Sequence, residues 1–350
     1  MSELIPTPDT IPVAWGFFQF LLLLTFPLHI ILMNAMLGSA IIALYARFRT
    51  GESWTRLSEE LAKVLPLIVA FTINFGVAPL LFVQVLYGQF IYTSSILMGV
   101  FWLSIILLLI VAYYCTYLFD FKFAALGQAG KWIIGLAVLI FLGIAFLFSN
   151  NMTLMLRPEE WSRYFQNSSG TILSLADVTL WPRYLHFIVG GTAVGGLVVA
   201  LFGKFREKRD PELAELAIGV GMNVFTGLTF IQIAIGFWFL LSLDKPVMTM
   251  FMGDNMLATI LLLAGFMLAI GVLWTAARKK VYLAAVHVVA LVYVMTFMRA
   301  FVRSGYLQEV YSLDMLKEVP QYSPMIVFFV VLVAGLATVV WLVRKAAEAV

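Results

Sequence analysis

Apolar residues run through this chain in long blocks, and polar residues gather in the short gaps between them. One membrane crossing takes about 20 apolar residues at the helical rise. Charged or Pro/Gly-rich breaks delimit nine such blocks: 13–45, 65–92, 96–119, 132–148, 181–202, 216–243, 252–276, 281–301 and 324–343. The pattern predicts an all-α integral membrane protein with about nine transmembrane helices, forming a single transmembrane domain over 1–350. The first block exceeds thirty residues and is expected to tilt or to project beyond the lipid. Only one connecting stretch is substantial, 150–180, with LRPEEWSRYFQNSSG in its middle. It is long and polar enough to fold over the mouth of a bundle or to dock a partner.

Nine crossings put the termini on opposite sides, and Lys and Arg choose which side is which. With the N-terminus outside and the C-terminus inside, 15 of the 22 Lys and Arg fall in inner loops. Trp15 and Trp181 then mark outer helix ends, and Trp132, Trp274 and Trp341 inner ones, where interfacial indoles belong. The expected location is the cell's inner (cytoplasmic) membrane, crossed many times. The first ten residues carry Glu3 and Asp9 and no basic residue, so the first block is expected to stay as a membrane helix.

Composition narrows the function classes. Apolar residues make up 63% and charged residues 12%, against roughly 25% charged in a soluble domain, which excludes an ordinary soluble enzyme. A net charge of +3, with dispersed basic residues, excludes nucleic acid as a partner. The lone Cys115 permits no internal disulfide and no Cys-x-x-Cys-His attachment, so any covalent haem or iron–sulfur cluster belongs to a partner. All 19 Asp and Glu lie in gaps or near block ends, which weakens proton-driven transport.

Three histidines remain inside the apolar blocks, His29, His186 and His287. Imidazole is a common axial ligand of haem iron, and thioether sulfur a common second one. The alternative is an imidazole that donates to a carbonyl on a neighbouring helix. His186 sits in WPRYLHFIVGGTAVGG, with Gly190 and Ala193 on its face and Arg183 one turn before it, placed to meet a propionate. The same glycines also suit tight helix contact. Met256, at the start of the seventh block, is the candidate sixth ligand, with Met248, Met250 and Met252 as competitors among 16 Met. His29 and His287 lie at similar expected depth and are candidates for a shared second site.

The order of these parts resembles the haem-binding subunit I of cytochrome bd quinol oxidases. FQFLLLLTFPLHIILMNAMLG is similar to that family's first helix, FTINFGVAPLLFVQVLYGQF to its second, and RYLHFIVGGTAVGG to the helix that carries the low-spin haem b histidine. The resemblance implies bd-like helical bundles and one to three b-type haems. His186 and Met256 would be the axial pair of the low-spin haem, and His29 an axial ligand nearer the active site. Arg299 or Arg303 would face propionates. His287 has no counterpart in the family pattern.

The eighth block, YVMTFMRAFVRSGYL, lacks the family's ligand glutamate; the third lacks its proton-delivering glutamates; LDKPVMTMFMGDN is shorter than its quinol loop. The function expected from these departures is an electron-transfer subunit, a respiratory oxidoreductase component. It would pass electrons between membrane quinone and an outer-face cytochrome or iron–sulfur subunit, among other membrane subunits and lipid. A complete quinol:oxygen oxidase stands second. A haem-free channel, transporter or structural subunit stands third.

Overall fold

A computed structural model describes residues 4–348. Among them, nine helices are long and apolar enough to cross a membrane. Among the described residues the only β-pairing is a single bridge between Ile11 and Glu318. The nine are α1 (Trp15–Arg47), α2 (Glu52–Leu97), α3 (Gly99–Phe121), α4 (Gly130–Met155), α5 (Leu180–Arg206), α6 (Pro211–Ser242), α7 (Met256–Ala277), α8 (Val281–Leu307) and α9 (Tyr322–Glu348). The protein is an all-α, multi-pass membrane protein.

Several helix ends depart from the apolar blocks, and α2, α4 and α7 show why. The helix α2 starts thirteen residues early, at Glu52, and runs 46 residues, about 69 Å at the helical rise. Its charged first turns stay helical because backbone hydrogen bonds need no lipid, and Glu59 pairs with Lys63 one turn on, at 3.2 Å. Near its far end Tyr87 leaves helical geometry (φ −136°, ψ 33°), and the adjacent Leu86 carbonyl accepts the Tyr311 hydroxyl at 2.6 Å. The helix α4 continues seven residues past its block and buries Ser149, Asn150, Asn151 and Thr153. The helix α7 starts four residues late. Gly253 just before it has φ 127°, which glycine alone adopts readily. Asn255 then caps it, accepting from the Ala258 N–H at 3.0 Å.

Consecutive helices from α1 to α8 lie side by side, and α1 is central, touching α2, α4, α5 and α8. The closest crossing is between α1 and α5. A Cβ added to Gly38 would sit 2.4 Å from the Gly195 Cα, so two bare backbones meet there. Lipid tails are as apolar as leucine, so association of membrane helices depends on such close van der Waals contact. By contrast α9 buries no residue and meets α1 where Phe329 abuts Phe17, ring centroids 6.0 Å apart.

The end of the bundle where α1 begins is the N-side. Its loops are clasped together. Ile11 N–H donates to the Lys317 carbonyl at 2.9 Å, and Val319 N–H to the Ile11 carbonyl at 2.8 Å. The segment after α4 folds back over this end. Trp161, 3% exposed, donates from Nε1 to the Leu154 carbonyl, and Ile172 N–H donates to the Leu97 carbonyl at 3.0 Å. At the opposite C-side, Arg56 pairs with Asp210 and Arg206 with Glu60, tying the start of α2 to the α5–α6 turn.

Candidate functional site

The three histidines fall on three different helix pairs. His29 faces α2, His186 faces α6 and His287 faces α7. Counted along their helices from the N-side ends at Leu180, Trp15 and Leu307, they lie about 9, 21 and 30 Å deep for His186, His29 and His287. The shared His29–His287 site expected from equal depth is therefore not formed. Their helices do touch, but α8 extends to Leu307, which places His287 near the C-side, and each ring is seated against a different neighbour.

Each seat is a glycine. A Cβ on Gly76 would come within 2.8 Å of His29 Cε1, and one on Gly271 within 2.7 Å of His287 Cδ2. At Gly236 the clearance to His186 Cε1 is 3.5 Å, ordinary contact. His29 Nδ1 lies 3.1 Å from the Thr72 carbonyl, and His287 Nδ1 2.8 Å from the Leu283 carbonyl one turn back on its own helix. Nδ1 as the donor in both leaves Nε2 with its lone pair, but a Cβ at Gly271 would lie 3.0 Å from His287 Nε2 and one at Gly76 3.4 Å from His29 Nε2, so the His287 Nε2 edge is closed by α7. His186 differs: its Nδ1 is buried without a hydrogen-bond partner.

Gly190 does not hold space beside His186 for a macrocycle. The Gln232 amide fills it: a Cβ at Gly190 would meet Gln232 Nε2 at 2.9 Å, and that nitrogen donates to the His186 carbonyl at 2.8 Å. Gly191, Gly195 and Gly196 serve close contact with α1 and α6. Ala193 is buried in the same interface. Met256 also departs from its expected place. As the first residue of α7, one turn after the Gly253 bend, it is 79% exposed. A thioether coordinating beside a buried imidazole would be enclosed, so the His186–Met256 pair is absent from this arrangement.

Three arginines gather toward the N-side. Arg183, 8% exposed, donates to Thr153 Oγ1 at 3.2 Å and Thr179 Oγ1 at 3.3 Å. Its guanidinium lies 5.5 Å from the Phe239 centroid, and the His186 ring lies 6.4 Å from the same phenyl. Arg299 donates to Met152 Sδ at 3.3 Å, sits 4.4 Å from the Phe26 centroid, and feels the charges of Arg303 and Arg183. Arg303, 5% exposed, stacks 4.4 Å from the Tyr87 centroid while its Nε and Nη1 have no partner. The ion pairs among the described residues involve other cations, and none includes these three. The buried guanidiniums are held directly by hydroxyls, sulfur and aromatic faces; the Asp177 carboxylate acts on Arg183 only from a distance, across the Thr179 hydroxyl.

Above them, Arg157 anchors the folded-back segment. It donates from Nε to Asp177 and from Nη2 to Asp244, both at 2.8 Å. Burial pushes the Asp177 carboxyl up, but hydrogen bonds from Thr179 and the charge of Arg157 outweigh it and hold the group below its usual range. Arg157 is likewise raised: burial works against its charge, and the two carboxylates more than offset this.

Sequence reasoning missed Gln89, Asn150, Asn151 and Gln232, all beside these groups. Asn150 and Asn151 are fully buried, and Asn150 Oδ1 accepts from the Ser174 N–H. Gln89 Nε2 is buried and unpartnered. Amides inside or at the end of an apolar block were the available signal.

Among the described residues no three His, Cys, Asp or Glu side chains converge on a common metal position. Two surface cavities flank the bundle, and neither includes a histidine. One, of about 730 Å³, lies at the C-side with Lys204, Glu215, Asn223 and Lys279 in its wall. The other, of about 330 Å³, lies between α1 and α8 with Trp15, Gln19 and Tyr293. No protein-family profile matches the chain, and no curated protein matches it in sequence.

Proposed function

We propose that the chain is a haem b-binding transmembrane subunit of a respiratory electron-transfer complex. It carries electrons between the quinone pool and a redox partner at the N-side, which the distribution of Lys and Arg makes the outer face of a cytoplasmic membrane. One observation carries the reading: Arg183, Arg299 and Arg303 lie at about the depth of His186 and none makes an ion pair, the Asp177 carboxylate acting on Arg183 only from beyond ion-pair distance, across Thr179. A buried cation left unpaired is destabilising. An anionic cofactor held by an imidazole supplies what is missing, and haem propionates have that charge and reach.

The residues fit such a group in part. His29 and His287 present an imidazole whose Nδ1 is already bonded; His186 lies next to the arginines. Haem, when bound, supplies reversible one-electron transfer. The chain's own contribution is to hold the ligand rings, to place positive charge near the propionates, and to keep water away with the apolar walls of three helix pairs. Met256 is left out of the ligand set because of its exposure.

A second reading has one observation in its favour. Every imidazole is seated on a neighbouring helix and lines neither cavity, as in a haem-free membrane subunit where histidines only join helices. A pyridine haemochrome assay on the purified, folded complex separates the two. The expected result is one to three b-type haems per chain, with His186→Ala removing one low-spin signal. A colourless, correctly folded preparation overturns the proposal, and quinol-driven oxygen uptake would reinstate the oxidase reading.

A further inference from the structure

The larger cavity, about 730 Å³ at the C-side, is a furrow along α6. Glu215, Ile218, Gly219 and Asn223 line it at helical spacing, so one face of α6 leads from the α5–α6 turn into the apolar block that starts at residue 216. Lys204 from the end of α5 and Lys279 from the α7–α8 turn complete the wall. A Cβ at Gly219 would meet nothing within 4 Å, so the furrow is open there. Charged side chains gather at its mouth, and Ile218 and Val220 line the part below. Asn223, about 12 Å further along α6 than Glu215, adds an exposed amide at the deep end.

The charges at the mouth have both signs, and only one pair is matched. Lys204 donates to Glu207 at 2.8 Å. Glu215 and Lys279 belong to no ion pair among the described residues. Lys279 is also the only described residue other than glycine with a positive φ, 52°. It takes the left-handed position that ends α7, where its N–H donates to the Ala276 carbonyl at 2.9 Å. Glycine would adopt that position without strain, so the turn itself does not call for a lysine. Arg278 and Lys280 on either side lie over the Trp274 ring, 4.5 and 5.3 Å from its centroid, whereas Lys279 lines the cavity.

An occupant complementary to this wall carries one anion and one hydrogen-bonding cation at the mouth, and hydrocarbon below. We propose that the furrow binds one phosphatidylethanolamine-type phospholipid from the leaflet at the C-side. Its phosphate meets Lys279, its primary ammonium donates to Glu215, and its chains run over Ile218 and Val220, with the Asn223 amide facing the glycerol esters. A purely anionic headgroup would confront Glu215 with like charge, and a quaternary ammonium has no N–H to donate. This site lies apart from the histidines and holds whether or not haem is bound.

The test uses the purified full chain, delipidated in detergent, and native mass spectrometry with added phosphatidylethanolamine, phosphatidylcholine or phosphatidylglycerol. The wild type is expected to retain one phosphatidylethanolamine and to release the other two more readily. Lys279→Gly, which relaxes the turn, and Glu215→Gln are each expected to weaken that binding about fivefold. Glu215→Gln is also expected to raise phosphatidylglycerol to the level of phosphatidylethanolamine. Gly219→Leu fills the open furrow without altering a charge and is expected to abolish retention. Lys208→Gln, in the same turn region but outside the cavity, is expected to change nothing. Equal retention of the three lipids by the wild type overturns the proposal, as does unchanged retention in both Lys279→Gly and Glu215→Gln. Displacement of the lipid by free phosphoethanolamine at equal concentration overturns it too, because the occupant would then be a soluble ligand.

Discussion

The two ends of the bundle treat positive charge in opposite ways. At the C-side, Arg56 and Arg206 meet Asp210 and Glu60 across helices, with side chains 40% exposed. Such pairs lie in water, and each is worth about 0–1 kcal/mol. They staple α2 to the α5–α6 turn and need no further partner. At the N-side, Arg183 and Arg303 are 8% and 5% exposed and make no ion pair, and Asp177 acts on Arg183 only across Thr179. The C-side charges are paired in direct contact, whereas the N-side guanidiniums are not; on the proposed function they are left for an anionic cofactor.

The largest test of that contrast is Arg303→Met. It removes a buried cation with two unpartnered N–H groups while keeping apolar volume against Tyr87. Haem-depleted protein is expected to gain about 1–4 kcal/mol, the range seen when buried charges give way to apolar side chains. The haem-loaded protein is expected to respond with the opposite sign. Loss of a positive charge near the iron favours the oxidised form, lowering a midpoint potential by on the order of 60 mV for each 1.4 kcal/mol lost in a one-electron couple. Thermal unfolding of both forms and a redox titration check this. Destabilisation of both forms alike would mean the guanidinium is structural after all.

Asp210→Ala probes the other end. Asp210 pairs with Arg56 and accepts from the Leu213 N–H at the start of α6, at 3.3 Å. Loss of the cap is expected to cost about 0.5–2 kcal/mol in thermal unfolding without altering any optical signal. A haem signal that moved would break the division between the ends.

Acid pH tests the segment that covers the N-side. The folded-state pKa of Asp177 is depressed, so its contribution is present above the unfolded value of about 3.9 and is lost as pH falls through the folded value. Proteolysis of the 156–179 segment is expected to accelerate below about pH 4. Asp177→Asn is expected to flatten that acid limb and to make cleavage faster at neutral pH. The smallest effect belongs to Arg56→Gln, expected to cost no more than about 1 kcal/mol, and less as salt is raised.

Much of the fold was legible along the chain because lipid imposes a one-dimensional constraint: a span must be apolar over about 20 residues, and that is countable. Helix ends were less legible, since hydropathy reports the solvent and not the backbone. Charged Glu52–Lys63 continues α2 for three turns, and Gly253 delays α7 by one. The histidines and arginines stood out because polar groups are rare inside apolar blocks. Their partners did not. Gln232 filling the space at Gly190, and Gly76 and Gly271 under two imidazoles, join residues far apart in sequence, and no periodicity records which helices face each other.

The sequence by itself determined that this is an all-helical membrane protein, roughly where its nine crossings fall, and which few polar side chains lie inside them. Those properties follow from the free energy of moving each segment out of water, which adds along the chain. Only the tertiary structure decided that the three imidazoles occupy separate helix pairs, that Met256 faces outward, and that three buried arginines gather without an ion pair. Those depend on which helix faces meet, and contact at 3 to 4 Å is fixed by the fit of small and large side chains across an interface, not by the hydropathy of either helix alone.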